Sequence, residues 1–174
     1  MQKMIFLSLL FTLVFPLSVL AATDIHFSGA LVAEPCVIEA GDEAKDVDLG
    51  NIVDKELYFN QRTLTKPLTL TLAHCALDMA KSVTITFSGN ESSELPGFLA
   101  MNPASNAKGI AIGIETLSGQ AVLLNKASPP VSLENGKTVI LLRAFLQGEP
   151  SAITQRSITP GPYSATATFS LSYQ

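Results

Sequence analysis

The sequence predicts an all-β sandwich. Three observations carry that expectation: seven or eight short segments alternate apolar and polar residues, turn-forming residues separate them, and no stretch keeps an amphipathic helical period for long. A closed barrel fits the same pattern less well. With 174 residues, 47% hydrophobic and 15% charged, the chain has material for one domain with a single core and lacks the composition of a disordered polymer.

Ile25, Phe27, Gly29 and Leu31 share one parity and His26, Ser28 and Ala30 the other, which predicts a first strand. Glu39 to Asp48 holds five acids and one lysine around Gly41, a composition suited to a solvated loop outside any core. Pro67 to Cys75 alternates leucine with β-branched threonine and places Leu68, Leu70 and Leu72 on one face. Val83 to Phe87 repeats the pattern and stops at Ser88-Gly89-Asn90, a turn composition. Further strands are expected at Ile110 to Ile114, Ala121 to Leu124 and Val139 to Leu146, the last after an Asn135-Gly136 hairpin turn. From Tyr163 to Tyr173 the alternation is unbroken: Ala165, Ala167, Phe169, Leu171 and Tyr173 face one way and small hydroxyl residues the other.

The N-terminus predicts export. Met1-Gln2-Lys3 is a short basic start, Met4 to Phe15 is almost wholly apolar, and Ala21-Ala22 supplies the small residues of a cleavage site, so residues 1–22 read as a signal peptide. Its apolar run is too short to span a bilayer well. The remainder, about 152 residues from Thr23, loses Lys3 and carries a net charge of −5. In an oxidising compartment Cys36 and Cys75 are most simply a disulfide; two unpaired buried thiols are the other reading.

Charge and residue count remove several functions. An acidic chain with no Lys/Arg run lacks a footprint for nucleic acid. Asn135-Gly136-Lys137-Thr138 resembles the tail of a phosphate loop, but Val131 stands where the earlier glycine is needed. Ser105-Asn106-Ala107-Lys108 has a serine–lysine nucleophile's spacing without its companion motifs. Of the two histidines, His26 lies opposite the apolar parity of its strand, and His74 falls at a strand end with the parity of Leu72, suiting a strand-end or core-edge packing role. Glu39, Asp42, Glu43, Asp46 and Asp48 lack the ligand spacing of a calcium loop. The expectation is therefore no catalytic residues, no metal and no cofactor.

Three features then meet: Ile25-His26-Phe27-Ser28-Gly29-Ala30-Leu31-Val32-Ala33-Glu34-Pro35-Cys36-Val37-Ile38, the partner Cys75 after a leucine–threonine strand, and Gly161-Pro162-Tyr163 running to Ser172-Tyr173-Gln174 with its penultimate tyrosine. Together they resemble the fimbrial subunits of the chaperone-usher pathway, type 1 pilus class, over essentially all of residues 23–174. The resemblance implies an incomplete immunoglobulin-like sandwich, residues 36–174, that lacks its final strand and is completed by donor-strand complementation. It also implies a donor segment within residues 23–35, with Ile25, Phe27 and Leu31 as groove-filling side chains and Gly29 at a close approach. Phe169, Leu171 and Tyr173 would form the terminal strand that a periplasmic chaperone, and later a neighbouring subunit's donor, pairs against. An outer-membrane usher would be a further partner, and the route runs through the periplasm to a surface fimbria. Cleavage after Ala21 or Ala22 leaves only two or three residues before Ile25, which resembles a minor adaptor more than an abundant shaft subunit. The rival reading is a self-contained secreted β-sandwich that binds a ligand or another protein.

Overall fold

The computed structural model describes residues 33–174, together with Ser28. The expected signal peptide, the first expected strand with Ile25, Phe27, Gly29 and Leu31, and His26 lie outside the described residues. In chain order the elements are β1 (Val37–Ile38), α1 (Asp54–Asn60), β2 (Lys66–Cys75), β3 (Ser82–Ser88), β4 (Leu99–Ala100), β5 (Ile110–Thr116), β6 (Val131–Ser132), β7 (Gly136–Gly148), α2 (Pro150–Gln155) and β8 (Thr168–Tyr173). They form two antiparallel sheets, β1-β2-β7-β5-β4 and β6-β3-β8, packed as a sandwich.

The leucine–threonine alternation of β2 does what the pleat requires. Leu68, Leu70 and Leu72 point inward opposite Leu142, Ile140 and Thr138 of β7, and meet Val83, Ile85 and Phe87 of β3 in one core. The alternation breaks at His74, whose φ of 54° is left-handed and whose register slips between Ala73 and Cys75. This bulge turns His74 out to solvent, not to the core edge its parity suggests, and turns Cys75 inward. There Cys75 is 3% exposed and joined to Cys36, 39 positions away.

Other expectations are corrected in the same way. Asn135-Gly136 turns the chain, with Gly136 at φ 83° and Thr138 Oγ1 accepting the Glu134 N–H, but the strands it joins belong to different sheets. It is a crossing between layers and not a hairpin. Ala121 to Leu124 is no strand: Val122 N–H bonds Ile114 while Leu124 N–H bonds Gly97, so the segment serves two partners and ladders with neither. Its Val122 and Leu124 are still buried, which is why its apolar pattern reads like a strand's. Of the alternating run from Tyr163, only Thr168–Tyr173 is laddered; Ser164 is held instead by Ser105, whose hydroxyl donates to the Ser164 carbonyl and accepts its N–H. That backbone role accounts for the serine of the serine–lysine spacing.

The short helices cap one end. Leu57 of α1 and Ala152 of α2 join Ala107, Ile110, Leu146 and Ile158 in a second, smaller core. On the outer face of the larger sheet, Phe145 lies edge-on to Phe98 and beneath the Arg62 guanidinium. Glu115 receives Arg62 at 3.0 Å and Arg143 at 2.8 Å. Both phenyl rings lie over Gly113: a Cβ there would stand 2.4 Å from Phe145 Cζ and 2.5 Å from Phe98 Cε1. Gly113→Ala should therefore lower stability by about 1–3 kcal/mol in denaturant unfolding, through ring displacement. A change below about 0.5 kcal/mol would mean that the rings move aside freely.

Candidate functional site

β8 has a partner on one side only. It occupies the end of its sheet, in register with β3 from Val83↔Tyr173 to Ser88↔Thr168. Ser82 and Gln174 exchange both backbone hydrogen bonds at 2.9 Å. Antiparallel alternation then points the backbone groups of Ser172, Ser170 and Thr168 toward β3, and those of Phe169, Leu171 and Tyr173 away from it. Among the described residues, no backbone group outside the ladder pairs with these three.

The same three side chains face the core yet are only half-buried, as are Tyr163, Ala165 and Ala167 before them. By contrast, Val83 and Ile85 on the adjacent strand are fully enclosed. Along Tyr163 to Phe169 that difference is a groove of about 810 Å³, whose lining stops at Phe169. Its floor is apolar, built from Leu68, Leu70, Phe87, Leu99, Ile112, Ile114 and Ala144. One wall is Tyr163 to Phe169, and the other is Ile38 with Glu43 to Leu49.

Two tyrosines tie the walls together at opposite ends. Tyr163 donates its hydroxyl to the Gly50 carbonyl at 3.1 Å, and Tyr173 donates to the Cys36 carbonyl at 3.5 Å. Between them, ten residue steps of extended chain span about 33 Å. Burial first, and then the nearby charges of Asp48 and Glu34 respectively, raise the phenol pKa values above their ordinary range. Both ties therefore keep their protons through neutral pH.

The acidic stretch is a wall of this groove and not simply a solvated loop. Asp42 is 8% exposed, and its carboxylate accepts the Thr71 N–H at 2.7 Å and a short bond from Lys45. Those two partners, Lys45 first, hold its pKa below the usual carboxylate value despite burial. Glu39 pairs with Lys137 at 2.9 Å, Glu43 caps Gly41, and Asp48 caps Gly50, so these carboxylates turn to separate partners.

The structure thus brings Phe169, Leu171 and Tyr173 to one open edge and joins Cys36 to Cys75 close to the Tyr173 end. It adds residues that the sequence reading did not single out: the tyrosine tie at Tyr163 and the floor positions Ile112, Ile114 and Ala144. Gly161-Pro162 before Tyr163 was the available signal for the tie. At Gly161 φ is 153° and a Cβ would meet Asn106 at 2.7 Å, so the bend that aims Tyr163 needs glycine.

A family model described as Fimbrial protein matches residues 25–174. PmfF of Proteus mirabilis, described by its name as a minor fimbrial subunit, is 35% identical over 164 residues, covering 90% of each chain. The Major MR/P fimbria protein of the same organism is 32% identical over 162 residues, 90% of this chain and 89% of its own. A solved chaperone-usher pilus superposes with a TM-score of 0.70 at 21% identity, over 91% of this chain and 99% of that one.

Because the folded-state pKa of Asp42 is depressed, its stabilisation is complete above the unfolded value near 3.8 and is lost as pH falls through the folded one. Asp42→Asn should accordingly be less stable than the unsubstituted protein at pH 7, with the gap closing in acid. A gap of constant size from pH 7 to about pH 2 would show that the carboxylate's charge contributes nothing.

Proposed function

The chain belongs to the fimbrial protein family, and from that premise we propose that the groove beside β8 is the acceptor for an extended strand supplied by another chain. The protein is a structural subunit of a surface fimbria and not an enzyme. The observation that carries the proposal is the one-sided pairing of β8 above an open apolar floor. A strand laid in the seam meets free backbone groups at Phe169, Leu171 and Tyr173 and places every second side chain on Leu68, Leu70, Ile112 and Ile114. Each fully buried aliphatic side chain contributes roughly 1.5–3 kcal/mol before the cost of ordering the strand. The added strand completes the immunoglobulin-like sandwich.

Residues 1–22 are proposed as the signal peptide, residues 23–35 as the segment this subunit gives to a neighbour, and residues 36–174 as the sandwich that receives one. Ile25, Phe27 and Leu31 would fill the neighbour's groove, with Gly29 where the backbones come closest. A periplasmic chaperone would occupy the seam first, and exchange at an outer-membrane usher would replace it with the next subunit's segment. The short stretch ahead of Ile25 and the likeness to PmfF favour a minor, adaptor-like place in the fibre. A native fibre in which this protein repeats hundreds of times would contradict that place.

The acceptor role is tested with the exported, oxidised protein and a peptide that alternates isoleucine with lysine. At about 100 times its dissociation constant the peptide should stabilise the fold by about 2.7 kcal/mol, raising the thermal midpoint by roughly 5–10 °C. The same peptide with a central proline, which removes a ladder donor, should have little effect. A high midpoint with no response to either peptide would favour the self-contained sandwich that binds a ligand elsewhere.

A further inference from the structure

Charge is distributed unevenly around the groove. Its floor and the Tyr163 to Phe169 wall carry no ionisable group other than the Tyr163 phenol, whereas the opposite wall carries Glu43, Lys45, Asp46 and Asp48. Lys45 is committed to Asp42. Glu43, Asp46 and Asp48 have no cationic partner among the described residues, and Glu34 lies near the Tyr173 end of the seam. An occupant of the seam therefore lies in a negative field along one side.

The chain's own N-terminal stretch, Thr23-Asp24-Ile25-His26-Phe27-Ser28-Gly29-Ala30-Leu31-Val32-Ala33-Glu34, has the alternating apolar residues an occupant needs. It has no lysine or arginine, and it carries Asp24 and Glu34 at its ends. We propose that the groove selects against a second copy of this chain, and that its occupant is the N-terminal strand of a different subunit bearing lysine or arginine among its outward-facing or flanking positions. This rests on the acceptor reading above. Like charges at both ends of an otherwise suitable strand slow its encounter with the seam, and basic residues there speed it. The physical result is a subunit that accepts foreign strands in preference to its own and so enters a fibre singly instead of polymerising with itself.

The test compares two labelled peptides binding to the oxidised protein: residues 23–34 as they stand, and the same peptide with Asp24→Lys and Glu34→Lys. At about 0.02 M salt the lysine peptide should associate roughly tenfold faster. That ratio should fall to within about twofold at 0.5 M salt, where screening is short-ranged, and in the Glu34→Gln/Glu43→Gln/Asp46→Asn/Asp48→Asn protein, which lacks every unpaired acid beside the groove. Equal rates for the two peptides at low salt would overturn the charge selection and leave the acceptor role standing. A preference that survives in that fourfold variant would equally overturn it, because the acids beside the groove would not be its source. If neither these peptides nor the isoleucine–lysine peptide binds, the acceptor role fails and the inference fails with it.

Discussion

The architecture turns on a ladder that stops one strand short. β8 satisfies β3 with alternate backbone groups and directs the rest into an open seam, and the side chains above those free groups are the ones left half-buried. The backbone deficit and the core deficit are a single deficit because, in an antiparallel strand, the residues turned away from β3 are here also those facing the core. An unpaired edge beside exposed apolar surface invites pairing, and proteins ordinarily suppress it. In this fold the edge is kept.

The rest of the molecule keeps that edge from collapsing. The disulfide fixes Cys36 to the end of β2, the left-handed turn at His74 aims Cys75 into the core, and the Tyr173 hydroxyl then reaches the Cys36 carbonyl. At the other end, the Gly161 bend delivers Tyr163 to Gly50. The walls are thus tied at their ends and left apart between them. Rigidity away from the seam comes from the pairing of β2 with β7 and from the Phe145–Phe98–Arg62 cluster on the outer face. A pre-formed slot of this kind leaves an incoming strand to bear only its own ordering cost.

Most of the sandwich was legible because period-two alternation is its direct cause. Leu68, Leu70, Leu72, Val83, Ile85 and Phe87 are core residues in the sequence and in the structure alike. Alternation misled wherever a local backbone event overruled it. A left-handed residue turned His74 outward, and a turn linked two sheets where a hairpin was expected. In Ala121 to Leu124, buried side chains hung from a segment with divided hydrogen bonds. The acidic stretch is a largely exposed loop, as its composition implies, but composition does not show that it borders the groove or that Asp42 is buried where it bonds Thr71 and Lys45. The open floor was invisible for a different reason. Ile112 and Ile114 alternate as any core residues do, and only three-dimensional packing shows that nothing described lies over them.

Amide hydrogen exchange along β8, resolved by residue, reports the one-sided ladder directly. In the free, oxidised protein the Ser170 and Ser172 amides should be protected by β3 while those of Phe169, Leu171 and Tyr173 exchange orders of magnitude faster, and an added donor strand should protect all five. Uniform protection of all five before any strand is added would contradict the account, since it would mean that the far side of β8 is already paired.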